Sequence, residues 1–352
     1  MRMLGLILMG SALASCSYSP AKDLNAASAP SVTEAIPTDP AAEYANALAE
    51  SGAPYRQGFS GEGEDRIHYV EAGAGPAVIF IHGFPSFWYV WRDQMEAFRH
   101  CRRVIAIDAP GAGLSAKPEP NQAYRVEALA KRLDALIAEL APGEKVTLVG
   151  HDWGGALAWS YAQWQSEKLD RLAVFSAPPY NVLLDLLATD PQQREVSSYM
   201  PTLLAIDRET ASTDAFARSF YDLAYKRMVD TQVLDEREGA IFRDGLARDG
   251  ALYAGIQWYK ANIPAFEQLN PAASYWPGPG TTTKIPVLLV RGKQDRTFVK
   301  RMAELAAADT PDLTIAEFED VGHWTQFQNP EAANAALGGF ILGDGEECAP
   351  AR

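Results

Sequence analysis

Histidine and cysteine are scarce in this 352-residue chain, five and three residues respectively. No cluster of them has metal-ligand spacing, so the sequence points to no metal and no cofactor. Basic residues are also few: 31 Lys and Arg stand against 45 Asp and Glu. The resulting net charge of −14 disfavours nucleic acid as a partner and serves solubility instead. Past the N-terminus no stretch is long and apolar enough to span a bilayer. No internal repeat is visible.

What is present is ample material for one large core, with 47% hydrophobic residues. Segments at about 66–71, 77–82, 103–108, 145–150, 171–176, 286–291 and 313–318 read as core strands, and a further strand is possible near 55–60. Helix-like segments separate most of them. This alternation predicts an α/β fold, a mostly parallel sheet with helices on both faces. From about Pro179 to Pro279 the alternation stops, and a helix-like stretch carrying Tyr199, Tyr221, Tyr225, Tyr253 and Tyr259 reads as an inserted helical cap. The turn-rich run Tyr275-Trp276-Pro277-Gly278-Pro279-Gly280 marks the return to the core. The folded domain is expected over 51–345, with a polar tail at 346–352.

The chemistry centres on Asp152. The segment Val149-Gly150-His151-Asp152-Trp153-Gly154-Gly155 joins an apolar strand to a helix through a Gly-x-Asp-x-Gly turn, the setting in which a nucleophile is held at the tip of a sharp bend. A serine there suits attack on a carbonyl. At a saturated carbon it would leave an ether that activated water cannot cleave. A carboxylate attacking the same carbon leaves an ester, and the hydrolysable carbonyl is the enzyme's own. Asp152 therefore suits an electrophilic sp3 carbon, that of an epoxide or an alkyl halide. Downstream, Asp295 ends the strand segment Ile285–Arg291 through Gly292-Lys293-Gln294, and His323 follows the short strand near Ala316-Glu317-Phe318. Nucleophile, acid and histidine thus occur in order at strand ends. The loop His82-Gly83-Phe84-Pro85 follows strand 77–81, so the backbone N–H groups of Phe84 and Trp153 are the candidate oxyanion donors. His82 itself reads as a structural residue that bonds loops.

Together these segments, with Asp108-Ala109-Pro110-Gly111-Ala112-Gly113-Leu114-Ser115, resemble the epoxide hydrolase and haloalkane dehalogenase branch of the α/β-hydrolase superfamily over about residues 60–342. The resemblance, nearest to the epoxide hydrolases, implies the α/β-hydrolase fold with its cap and the opening of a small neutral epoxide by water to a vicinal diol. Asp152 would be the nucleophile, and His323, oriented by Asp295, would activate water. In epoxide hydrolases two cap tyrosines hold the epoxide oxygen. Tyr259, in Gln257-Trp258-Tyr259-Lys260, matches one of them, with Lys260 replacing the family's arginine. Tyr199 is a looser match to the other, because Leu203 stands where an aromatic is usual. The alternative is haloalkane dehalogenase activity with Trp153 as one halide donor. There Phe84 replaces the usual asparagine donor, and a cap tryptophan such as Trp258 would have to substitute. A second alternative is an envelope binding protein that keeps the hydrolase scaffold without catalysis.

The first residues read as a targeting segment: Arg2, the apolar Met3–Gly10, then Leu13-Ala14-Ser15-Cys16. The last four resemble the bacterial lipoprotein signal, which implies a signal peptide over 1–15, lipid on Cys16 and anchorage in the cell envelope without a membrane span. Ser17 after it points to the periplasmic face of an outer membrane; the alternative is an ordinary signal and a soluble periplasmic or secreted protein. Residues 16–50 would then be the lipidated cysteine and a disordered tether, rich in Ala, Ser, Pro and Thr. Cys101 and Cys348 remain, and the sequence leaves their pairing open.

Overall fold

Eight strands form one sheet in the computed structural model of this chain, which describes residues 39–48, 54–270, 275–278, 280–343, 346 and 348. They are β1 (Arg56–Ser60), β2 (Ile67–Ala72), β3 (Ala77–Ile81), β4 (Arg103–Ile107), β5 (Val146–His151), β6 (Leu169–Phe175), β7 (Val287–Gly292) and β8 (Leu313–Phe318). Their spatial order is β1-β2-β4-β3-β5-β6-β7-β8, antiparallel across β1/β2 and β2/β4 and parallel from β4 onward. The expected strands are all present, including the optional first one.

The apolar runs of β3 and β5 are continuous because both faces of the sheet are covered. Ile79 and Ile81 pack into the cluster on one face, with helices Val126–Leu140 and Trp153–Trp164; Val78 and Phe80 pack into the other, with helices Arg92–Phe98 and Pro330–Ile341. The chain leaves β3 for β4 on one side and later returns to β5 on the other. The strand order therefore reverses beside β3, and a crevice opens at the carboxyl ends of β3 and β5. That is where the 82–85 loop and Asp152 lie.

The insertion between β6 and β7 is helical, as expected, running from helix Tyr180–Thr189 to helix Ala251–Asn262. Its ends are fastened to each other and to the core. Tyr180 donates its hydroxyl to the Asn262 carbonyl (2.5 Å), and the Asn262 side chain accepts from Val126 N–H (2.9 Å) and donates to the Tyr124 carbonyl (2.8 Å).

Two terminal segments differ from a simple tether and tail. Signal residues 1–15 and Cys16 lie outside the described residues, but the tether expected through residue 50 is interrupted by a helix, Pro40–Leu48. Its alanines look like low-complexity sequence, yet Ala41, Ala42 and Ala45 are buried, because a side chain this small lets the helix lie close against the domain. Asp39 ahead of it is buried too. It accepts from Trp88 Nε1 on the core and from Arg248 on the cap, each at 2.8 Å. At the other end Cys348 is disulfide-bonded to Cys101, and Glu346 ion-pairs with Arg102. The polar tail is thus pinned at both of its described positions.

Asp39→Ala removes the acceptor of the half-buried Arg248 and of the buried Trp88 indole at once. It should lower the unfolding free energy in urea by about 3 kcal/mol. A loss below about 0.5 kcal/mol, the range of neutral surface changes, would show that this strap does not bear on the fold.

Candidate active site

Asp152 occupies backbone space that side chains rarely enter, φ 51° and ψ −123°, between the last residue of β5 and the first turn of helix Trp153–Trp164. The strained bend is held by Asp152 N–H on the Phe175 carbonyl (3.3 Å) and by Ala156 N–H on the Asp152 carbonyl (2.9 Å). It also demands close approach. A Cβ on Gly154 would lie 2.3 Å from the Ile81 carbonyl oxygen, and one on Gly83 would lie 2.3 Å from the Asp152 Cβ. Glycine at both positions lets the elbow and the 82–85 loop touch.

The Asp152 carboxylate is buried and divided between two partners. Oδ1 accepts the Phe84 N–H at 2.9 Å, and Oδ2 lies 3.5 Å from His323 Nε2. His323 Nδ1 is 3.1 Å from Asp295 Oδ2, while Asp295 Oδ1 accepts the Thr297 N–H at 2.7 Å. Trp153 follows Asp152 as the first residue of its helix, where the N–H has no acceptor within the helix. The sheet edge therefore brings Asp152, Asp295, His323, Phe84 and Trp153 together as the sequence pattern predicts.

Burial disfavours charge on Asp152, but the His323 hydrogen bond and charge outweigh it and hold the carboxyl below its usual range. Asp295 is shifted the same way for the same reason: burial opposes its charge, and His323 with the Thr297 N–H overrides it. Burial alone would push His323 down; Asp295 and Asp152 together push it up to about 10. At neutral pH the resting site is an imidazolium between two carboxylates.

The cap closes over this arrangement with aromatic rings. Tyr259 is buried, its ring edge-on to Trp153 (5.1 Å between centroids) and to Phe84 (5.7 Å). Tyr199 stands edge-on to Tyr259 at 6.2 Å, and the two hydroxyls interact. As a residue Tyr199 is 38% exposed. Its hydroxyl end feels desolvation and the Asp152 charge, which push its pKa up. Tyr259 rises well above its ordinary value by burial, with Tyr199 and Asp152 adding to it. Both phenols stay protonated at neutral pH. An apolar pocket open to solvent runs between the 83–86 loop and helix Ala251–Asn262, with Phe84 and Trp153 in its wall.

Three details lie outside the sequence reading or refine it. Trp258 donates its Nε1 to the Pro110 carbonyl at 2.9 Å, so its N–H is committed and does not supply the second halide donor that the dehalogenase reading requires. His82 is the loop-bonding residue expected: Nδ1 donates to the Gly83 carbonyl (2.7 Å) and Nε2 accepts the Ala109 N–H (2.9 Å). His151 was not foreseen. Its Nε2 donates to the carbonyl of His323 at 3.0 Å, and burial, then the His323 charge, push its pKa down to about 3. Its place beside the nucleophile was the only signal in the sequence.

Comparisons with known proteins agree with this fold. The model of the α/β-hydrolase fold family matches residues 76–330. The chain is 28% identical over 274 residues to the AB hydrolase superfamily protein YfhM of Bacillus subtilis, covering 77% of this chain and 92% of that one. It is 25% identical over 291 residues to epoxide hydrolase 2 of Caenorhabditis elegans, covering 79% and 78%. Among solved structures, an epoxide hydrolase of Bacillus megaterium in complex with an inhibitor superposes with a TM-score of 0.74 at 24% identity, covering 81% of this chain and 99% of that one.

The ion pair makes a titration prediction. Asp152→Asn should bring the His323 pKa down by about 1–2 units, read from imidazole NMR shifts. In the unmodified protein the folded value lies above the ordinary 6.5, so the stability His323 contributes is full below about 6.5 and is lost as the pH rises through about 10. An unchanged His323 titration in Asp152→Asn would mean that the two side chains are not coupled.

Proposed function

The chain belongs to the α/β-hydrolase fold family, and from that premise we propose that it is an epoxide hydrolase, opening an epoxide to a vicinal diol. The observation that carries this reading is a buried carboxylate at the elbow, 3.5 Å from an imidazole, roofed by two protonated phenols that face each other. Epoxide opening needs both: a nucleophile that leaves a hydrolysable ester, and donors for the departing oxygen.

In this mechanism Oδ1 stays on the Phe84 N–H and Oδ2 attacks an epoxide carbon. The C–O bond breaks as Tyr259 and Tyr199 hydrogen-bond the oxygen and pass it a proton. The product is a hydroxyalkyl ester on Asp152. Esterification also removes the Asp152 charge, one of the two that keep His323 protonated. His323 then yields its proton to restore the tyrosine that protonated the leaving oxygen, and becomes a base, oriented by Asp295. It takes a proton from water, and hydroxide adds to the Asp152 carboxyl carbon. The Phe84 and Trp153 N–H groups stabilise the oxyanion. Collapse releases the diol and restores the carboxylate, which keeps one oxygen from water. Epoxide and water are consumed and the diol is the product.

The dehalogenase alternative keeps the same nucleophile and one indole, that of Trp153, but its cap tryptophan is bonded elsewhere. The phenols over Asp152 favour an oxygen leaving group over a halide. Catalysis is favoured over a binding role because Asp152, His323 and Asp295 follow one another at 3.5 and 3.1 Å, with the Phe84 N–H on the Asp152 carboxylate.

His323→Gln should stop the second half-reaction and spare the first. Mixed with an aryl epoxide, the variant should gain the whole epoxide mass in intact mass spectrometry, and Asp152→Ala in the same background should abolish the gain. Gain of only the alkyl group from a bromoalkane, with bromide released and no epoxide adduct, would favour the dehalogenase. Absence of any adduct across a broad panel would favour the binding protein.

We also propose that the protein works in the cell envelope, lipid-anchored through Cys16. The disulfide between Cys101 and Cys348 supports an oxidising compartment. Cys16→Ala should move the protein from the membrane fraction to the soluble fraction; an unchanged distribution would argue against the anchor.

A further inference from the structure

Tyr225 belongs to neither of the roles above, yet it is the cap residue that grips the catalytic loops. It lies in a π-helical turn, Asp222–Lys226, set between helices Asp214–Tyr221 and Arg227–Asp230. A π turn carries one extra residue, which rotates the following side chains by about 100° relative to a continuous α-helix. Here Leu223 points outward, 82% exposed, and Tyr225 is fully buried against the core. Its hydroxyl donates to the Pro85 carbonyl at 2.6 Å. Its ring stacks on Phe242 (4.4 Å, 13°) and lies against Trp324 (5.3 Å), the residue after His323.

The Pro85 carbonyl matters because of what precedes it. The Phe84 N–H that faces Asp152 belongs to the Gly83–Phe84 peptide, and the carbonyl of that peptide is held by His82 from the core side. Proline offers no N–H, so the next fixing point along the loop is a carbonyl, and the partner that reaches it is Tyr225 from the cap. The donor amide is thereby held between a core bond and a cap bond.

We propose that Tyr225 is a positioning residue for the Phe84 amide, acting through its bond to the Pro85 carbonyl, and that it serves the ester-hydrolysis half-reaction above all. The inference rests on the epoxide hydrolase reading for its kinetic consequence. In the first half-reaction the loop only steadies one carboxylate oxygen. In the second the Phe84 N–H must meet a developing oxyanion, where misplacement is costly: losing such a donor outright costs on the order of a hundredfold in rate.

The test is Tyr225→Phe in the full chain, which keeps the ring stack and deletes only the donor. With an aryl epoxide followed by quenched-flow mass spectrometry, ester breakdown should slow on the order of tenfold while ester formation stays within about twofold. kcat and KM should then fall together, with kcat/KM held, and the adduct should accumulate. Hydrogen exchange of the 83–87 segment should quicken while Tm moves little. Equal exchange and equal ester breakdown in Tyr225→Phe and wild type would overturn the proposal, as would equal loss in both half-reactions, the mark of a merely structural role. If wild type and His323→Gln form no adduct with any epoxide, the functional reading falls, and the exchange comparison still decides whether Tyr225 holds the loop.

Discussion

The structure depends on keeping one charged carboxylate buried at the end of a strand. An ion such as Asp152 in an apolar interior is costly unless other groups take the place of water. Here the compensation is one amide N–H at 2.9 Å and one imidazolium at 3.5 Å, and the imidazolium is in turn shared with Asp295. Each partner arrives on a different loop, after β3, β8 and β7. All of these loops sit at the carboxyl edge of the sheet, and Asp152 can reach them only because its own backbone is strained into φ 51°. The parallel sheet supplies the rigidity that such strain requires.

The same arrangement couples the charge on Asp152 to that on His323. While Asp152 is charged, His323 is held protonated and cannot act as a base. On the proposed epoxide hydrolase reading, esterification of Asp152 removes one of the two carboxylate charges that raise the His323 pKa. The nucleophile and the base that the proposal names would then be separated in sequence by a single change of charge. The cap contributes the complementary element, two phenols kept neutral chiefly by burial and so available as donors.

The cap is fixed to the core by specific bonds at several places rather than by apolar contact alone. The Asn262 side chain ties its return helix, Tyr225 ties the π turn to the 82–85 loop, and Arg248 reaches Asp39 on the N-terminal strap. The strap and the disulfide-bonded C-terminal segment bracket the domain from its two ends. Cap position, loop geometry and terminal anchoring therefore belong to one connected set of contacts.

Much of this was legible in the chain itself. Ala77–Ile81 and Val146–His151 read as buried strands because a central parallel strand is apolar on both faces. Asp152, Asp295 and His323 read as a set because each follows a strand at a glycine-marked turn. Local pattern carries that information. It does not carry contacts made across long separations. Pro40–Leu48 looks like tether because alanine is indifferent between solvent and close packing, and only a neighbouring surface decides. Trp258 looks like a spare N–H donor until Pro110, 148 residues away, is seen to take it. Cys101 and Cys348, 247 residues apart, are bonded only because the fold lays the C-terminal segment beside the start of β4. Tyr225 is one tyrosine among 14 until the π turn aims it at Pro85. The kind of nucleophile and the order of its partners were set by residue identity and local spacing; which polar groups remain available to a substrate was decided by tertiary packing, because a donor's availability depends on everything that surrounds it.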